Sequence, residues 1–296
     1  MRLLNLISSG FISVLFLVAT VHAAARHDVV KNDTLSHIAQ HHLGDAQHWP
    51  LLHQRNARHV KNPHLIYPGQ QLHIRNTWYG DVAVGAGLGY TGKSQTLVMQ
   101  PGIDFGYDAH RGQTAYLIGI GGGRSFVLTP AWDISLGAEA DYLHYGKSNG
   151  IVHPWVNQLP NLGTLDYAYK AKSYTLMGNA RLRWWNTRRG FIEGYAAVGV
   201  ARNTLSDYKE VPSAGSSASP MQVGFEKRST TAPAFSVGLA FGYQLTPKLA
   251  IEMGYRYIDT GLAKFKTPDA ASLSAKPTFS AGKLSAQLLY LDVFFG

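Results

Sequence analysis

Lys248-Leu-Ala-Ile-Glu-Met-Gly-Tyr-Arg-Tyr-Ile258 is the stretch that decides how the chain reads. Its odd positions, Leu249, Ile251, Met253, Tyr255 and Tyr257, are apolar or aromatic. Its even positions, Lys248, Ala250, Glu252, Gly254 and Arg256, are charged or small, with Ile258 the one greasy exception. Side chains on a strand alternate between its two faces, so this is a strand with one apolar and one polar side. A single such strand fits a soluble sheet equally well. The same alternation recurs along the chain from residue 78 onward. Apolar faces on every strand, with charge on the opposite faces, specify a transmembrane barrel with a polar interior.

Reading outward from that stretch by the greasy phase gives eight strands. The first turns Trp78, Val82, Val84, Ala86, Leu88 and Tyr90 outward and Asp81 inward. The second turns out Tyr116, Ile118 and Ile120. The third turns out Trp132, Ile134, Leu136, Ala138, Ala140 and Tyr142, against inward Asp133, Ser135, Glu139 and Asp141. The fourth turns out Tyr174, Leu176, Ala180, Leu182 and Trp184, against Thr175, Asn179, Arg181 and Arg183. The fifth turns out Ile192, Ala196, Val198 and Val200, against Glu193 and Tyr195. The sixth turns out Phe235, Val237, Leu239, Phe241 and Tyr243. The quoted stretch is the seventh. In the eighth, Leu284, Ala286, Leu288, Tyr290 and Phe294 are expected outward, with Asp292 discordant in the same phase.

The connections alternate in length. Residues 128–131, 186–189 and 244–247 read as tight turns, whereas 91–112, 146–170, 204–228 and 260–280 read as long loops rich in Gly, Ser, Pro and charge. Short turns on the periplasmic side and long loops outside are the rule for outer-membrane barrels. An even strand count returns both ends of the barrel to the same side. Trp132, Trp184 and Trp185 lie beside tight turns, and Tyr90, Tyr116, Tyr142, Tyr174 and Tyr257 lie at the loop ends, as two interfacial girdles require. Eight strands enclose a space just wide enough for side chains. The inward charges Asp133, Glu139, Asp141, Arg181, Arg183, Glu193, Glu252 and Arg256 carry both signs, so an ion-paired plug is expected rather than an open pore.

The composition agrees. The 296 residues include 31 Gly, 16 Tyr, 12 Phe and 6 Trp, a turn-rich and aromatic profile. A mean hydropathy of -0.10 excludes a bundle of membrane helices. The absence of Cys excludes disulfide staples and a lipidated N-terminal cysteine. The formal charge of +9 suits contact with anionic envelope polymers. Residues 1–23 have the layout of an export signal: Arg2, an apolar run densest over Phe11–Val18, and small residues around Val21-His-Ala23.

Between them, residues 27–74 read as a separate βααβ unit. His27–Val30 is a short strand, and Asp33 or Thr34 is placed to cap a helix carrying Leu35, Ile38, Ala39 and Leu43. Gly44 stops that helix, a second runs near Trp49–Asn56, and Tyr67-Pro-Gly69 turns into a strand over Gln71–Ile74. The segments 30–39 and 65–74, with Trp49, Asn56, Asn62 and Pro63, resemble a LysM domain over its full length. Asn32 stands where that family usually has Gly, and Asn is the next-best residue for a left-handed turn. The resemblance implies binding of N-acetylglucosamine polymers, chiefly peptidoglycan. It places the groove between Asn32, Asp33, Thr34 and Leu35 on one side and Asn62, Pro63, His64, Leu65 and Ile66 on the other; the alternative role of these residues is to cap helices and fill a small core. Residues 75–77 are then a short linker and 78–296 the barrel, which is similar to the OmpA-like and OmpX-like barrels and surface-antigen porins.

Nine of the 13 His fall in the small unit. His37 and His41 share a helix face, but nothing on that helix completes a ligand set, so no metal is expected. Neither a cofactor nor a nucleic-acid partner is expected. The expected partners are peptidoglycan, outer-membrane lipid and lipopolysaccharide. Two rival readings remain: a narrow small-solute porin, and a lipid A-modifying enzyme. The second rests on a resemblance of His144 and Ser148-Asn149-Gly150 to the His-x-Ser-Asn run of lipid A deacylases, at a different spacing and with Glu139 on the other face.

Overall fold

The computed structural model describes residues 26–295 apart from 44, 58, 75–77, 111, 128–131, 158–162, 185–189, 221–224, 247–248 and 267–276. The expected export signal, the linker and most of the tight turns therefore lie outside the described residues.

The small unit is built as β1 (Arg26–Asp28), α1 (Leu35–Leu43), a 3-10 turn (Ala46–His48), α2 (Trp49–Asn56) and β2 (Gln71–His73). β1 and β2 pair antiparallel, with His27 opposite Leu72. The helical spacing of Leu35 and Ile38 turns both onto the sheet, where they close a core with Val29, Leu52, Val60, Leu72 and Ile74. Asn56 is fully buried and donates from Nδ2 to the Leu52 carbonyl at 2.8 Å, tying off the end of α2.

The remaining strands are β3 (Trp78–Tyr90), β4 (Gln95–Gln100), β5 (Ile103–Ala109), β6 (Gln113–Val127), β7 (Asp133–His153), β8 (Leu165–Trp184), β9 (Gly190–Pro212), β10 (Arg228–Thr246), β11 (Leu249–Lys264) and β12 (Ser280–Phe295). Eight of them close a ring in the order β3-β6-β7-β8-β9-β10-β11-β12, and β12 returns to β3 from Ser285↔Tyr90 to Phe295↔Gly80. Every pairing in the ring is antiparallel.

The exterior is apolar and aromatic. Tyr116, Ile118, Ile120, Leu136, Leu176, Val198, Leu239, Met253 and Leu289 all point away from the ring and are exposed. Between Trp132 and Tyr142 the strand rises about 33 Å along its length at ~3.3 Å per residue. At a tilt of roughly 40° that is about 25 Å of height, the depth of a hydrocarbon layer. At one border Trp132 stacks on Trp184 with ring centroids 6.4 Å apart; at the other Tyr142 meets Tyr174 at 5.0 Å.

Three sequence-based expectations are corrected. The phase of β12 is reversed: Leu284, Ala286, Leu288, Tyr290 and Phe294 point inward together with Asp292, while Leu289 and Leu291 face out. The stretch 91–112 is not a plain loop, because β4 and β5 form a hairpin within it that docks on β7 through Gly106↔His153 to Ala109↔Gly150. The stretches 146–170 and 204–228 are not plain loops, since β7, β8 and β9 run on past the aromatic border, bulged at Tyr145/Lys147 and Ala168/Lys170, and pair as far as Val152↔Leu165 and Leu165↔Pro212. The upper interior explains both surprises. There Phe105, Tyr107, Tyr167, Tyr169, Phe265 and Phe279 pack with Leu284, Ala286, Leu288 and Ile258 into one apolar cluster. Strand extensions and hairpin enclose that cap, and most of the large inward residues at this level are greasy.

Candidate functional site

The expected glycan-binding residues occupy two turns of the small unit. In the first, the Asp33 amide donates to the Val30 carbonyl at 3.1 Å, and Asn32 takes the left-handed conformation at φ 75°. A short amide side chain tolerates that geometry better than most residues. The Asp33 carboxylate accepts from the Val30 amide at 2.8 Å and from His27 Nε2 at 2.7 Å. These contacts, the His27 bond foremost, hold its carboxyl below the usual carboxylate range. His27 Nδ1 lies 3.1 Å from His42 Nε2, so one line of hydrogen bonds links β1, the turn and α1. Burial first, and then the neighbouring His41 and His27, push the His42 imidazole down. Thr34 Oγ1 accepts from the His37 amide at 3.1 Å and caps α1. Leu35 is buried at 3 % exposure and belongs to the core.

The second turn is closed by Asn62, whose Oδ1 accepts from the His64 amide at 3.0 Å and whose carbonyl accepts from the Leu65 amide at 3.1 Å. Pro63 is half-buried, and the His64 ring lies 6.3 Å from that of Trp49. Ile66 packs against the same core that holds Leu35, whereas Leu65 stands 52 % exposed. The two segments therefore meet through Leu35 and Ile66 beneath the surface. Asn32, Thr34, His64 and Leu65 are left presented to solvent.

The barrel interior holds the second expected set. Arg181 reaches Asp81 at 3.2 Å, Asp292 at 3.3 Å and Glu193 at 3.4 Å. Arg183 bridges Glu193 and Glu252, both at 3.0 Å. Arg256 bridges Glu139 at 2.5 Å and Asp141 at 2.8 Å. Asp133 is buried at the same end of β7 as Arg183 on β8, its Cα partner. The Tyr195 hydroxyl bonds Glu139, Asn179 donates to Glu139 at 2.9 Å, and the Arg181 guanidinium lies 4.7 Å from the Phe294 ring centre. Glycines on β6 make room for this. A Cβ at Gly121 would meet the Asp81 carboxylate at 2.7 Å, and one at Gly119 would collide with Asp141. Below the network Tyr79, Phe191, Ala250 and Phe294 close one end, and the aromatic cap closes the other. His144 and Ser148 are not brought together: His144 lies on the outward face of β7, while Ser148, beyond a bulge, is buried and bonded to Thr91.

Residues 27–75 match the LysM domain family. No curated protein matches the chain. Among solved structures, Neisserial surface protein A is similar at 12 % identity and a TM-score of 0.42, covering 74 % of this chain and 96 % of that one. The outer membrane protein OprG of Pseudomonas aeruginosa is similar at 16 % identity and a TM-score of 0.38, covering 73 % and 97 %. Ail, the attachment invasion locus protein of Yersinia pestis, is similar at 11 % identity and a TM-score of 0.30, covering 74 % and 99 %.

Two groups of site residues escape a sequence reading. In the LysM domain, His27 joins the turn residue Asp33, 6 residues on, to His42, 15 residues on, a link only the fold creates. In the barrel, Asp292 joins the network because β12 faces the other way; its clash with the apolar phase was the available signal.

Proposed function

We propose that the chain is an outer-membrane barrel that tethers the membrane to peptidoglycan through a periplasmic LysM domain. The observation that carries this is the joining of a LysM domain to a lipid-suited barrel by only residues 75–77. From Ile74 to Trp78 the backbone reaches about 14 Å at ~3.5 Å per residue. The domain therefore hangs at the β3 start, the border marked by Trp132 and Trp184, where the connections are short. In outer-membrane barrels that border faces the periplasm, where the wall lies. The strand extensions and the β4–β5 hairpin then face the medium, where they are available for adhesion. The filled interior favours this reading over a solute channel, and the separation of His144 from Ser148 favours a non-enzymatic role.

The LysM domain has its own core and sheet, so a 26–76 fragment is a fair test, alongside full-length protein in detergent. Both should sediment with purified peptidoglycan. Leu65→Asp sets an unpaired carboxylate against the sugar's apolar faces without touching the core, and should weaken binding about tenfold, or ~1.4 kcal/mol. Ile66→Asp should weaken it at least as much if circular dichroism shows the variant folded. Failure of both wild-type forms to sediment would end the tether reading.

A further inference from the structure

A cationic hollow lies on the outer wall of the barrel, just beyond the aromatic border. Register shifts fall at Tyr145/Lys147 between β7 and β8 and at Ala168/Lys170 between β8 and β9. Bulges bend strands and deepen their twist. Here the two lie side by side and leave a hollow of about 940 Å³. Lys147, Lys170, Lys209, His110 and His144 line it, and the acids among its lining are Asp166 and Asp207. Asp207 is taken up by Lys170 at 2.8 Å, and Asp166 accepts from the Ser213 hydroxyl at 2.9 Å. Lys172 and Arg202 stand in the next rows down, Lys172 opposite His144 and Arg202 opposite Tyr174. Among the described residues, Lys147, Lys172, Lys209 and Arg202 form no ion pair.

Directly below, the Lys172 ammonium sits 5.8 Å from the centre of the Tyr174 ring. Past Tyr142 and Tyr174 the wall is the greasy surface of Leu176, Val198 and Val200, each more than half exposed. Cations over an aromatic border, continuous with an acyl-suited wall, match an amphiphile with negative charge at its head. The hollow is far larger than a single phosphate and falls in the size range of sites for whole small molecules. Its cations are spread over several rows, which fits a headgroup with phosphates set apart on a sugar frame.

We propose that this hollow binds the headgroup of a phosphorylated glycolipid in the outer leaflet, with its acyl chains laid along β7, β8 and β9. The proposal rests on the membrane-spanning reading above. The test uses full-length protein folded in bilayer nanodiscs, with heat-shifted mobility on semi-native gels confirming the folded barrel in every sample. Native mass spectrometry then counts bound diphosphoryl lipid A, the same lipid with its phosphates removed, and phosphatidylglycerol. Wild type should retain diphosphoryl lipid A at least tenfold better than either alternative. Lys147→Gln/Lys172→Gln/Lys209→Gln should lose that preference, and Lys264→Gln, an exposed lysine on β11, should keep it. Equal retention by the folded triple variant overturns the proposal, as does equal retention of phosphatidylglycerol or displacement by millimolar inorganic phosphate. A barrel that fails to fold in nanodiscs would instead indict the membrane reading.

Discussion

Arg181→Met should destabilise the barrel by about 3–5 kcal/mol, the usual consequence of leaving buried charge uncompensated. The geometry sets that range. Arg181 is 4 % exposed and contacts three carboxylates, of which Glu193 also holds Arg183. Asp81 and Asp292, 2 % and 1 % exposed, take their ion pairs from Arg181. The substitution therefore strands two buried carboxylates, and methionine restores the packing against Phe294 but none of the charge. Charged hydrogen bonds contribute ~1.5–3 kcal/mol each, and these lie at the long end, so two of them reach the lower part of the range. Neutralising the whole group should reverse the loss: Arg181→Met with Asp81→Asn and Asp292→Asn should return to within about 1.5 kcal/mol of wild type, because a buried ion cluster and a neutral one differ little in net stability. Arg181→Lys should fall between, keeping charge but losing the guanidinium fork. Urea unfolding in lipid vesicles, followed by tryptophan fluorescence, measures all four. If Arg181→Met unfolds at the wild-type urea concentration, or if the triple variant is no better than the single, the network does not organise the interior.

Leu136 is 48 % exposed on the apolar belt, and Leu136→Arg should cost on the order of 2–4 kcal/mol at mid-layer depth. Ser135→Arg, one residue along, faces inward and should cost much less; equal heat resistance on semi-native gels would contradict the facing of β7. The LysM fragment should lose stability on acidification. The folded His42 pKa is depressed below the ordinary 6.5, so its contribution is complete above that value and fades as the unfolded imidazole takes up protons below it. Asp33 adds a second loss only as pH falls from the ordinary 3.8 through its lowered folded value. Thermal melts from pH 7.5 to 5 should slope downward, and His42→Gln should flatten the slope; a melting temperature that rises with acid would refute this.

Most of the barrel was legible because its exterior must be greasy, so alternation fixes the facing of β3 and β6 through β11. It failed on β12, and Ile258 is the clue to why. Ile258 was the greasy residue on the polar face of the opening stretch, and it sits at 0 % exposure in the aromatic cap. Where the interior is apolar too, alternation carries no sign, and Leu284, Ala286 and Leu288 read equally well either way. The β4–β5 hairpin left a fainter trace in Leu97, Met99, Phe105 and Tyr107 around Pro101-Gly102, a period-two pattern broken by a turn dipeptide. In the LysM domain the two turns were legible from capping and turn residues, but the Asp33–His27–His42 line was not, since it depends on β1 lying beside α1.

The seam of the ring has a kinetic consequence. Closure joins Gly80–Tyr90 to Ser285–Phe295, stretches about two hundred residues apart, and such distant pairings form late. The core and sheet of the LysM domain come from residues 26–74 alone, so it forms as a unit without the distant pairing of the seam. It is therefore already a folded body when β12 arrives, and it hangs from the start of β3, beside the Gly80↔Phe295 end of the seam. Whatever brings the last strand home must work around a finished domain standing at the lip of the gap it closes.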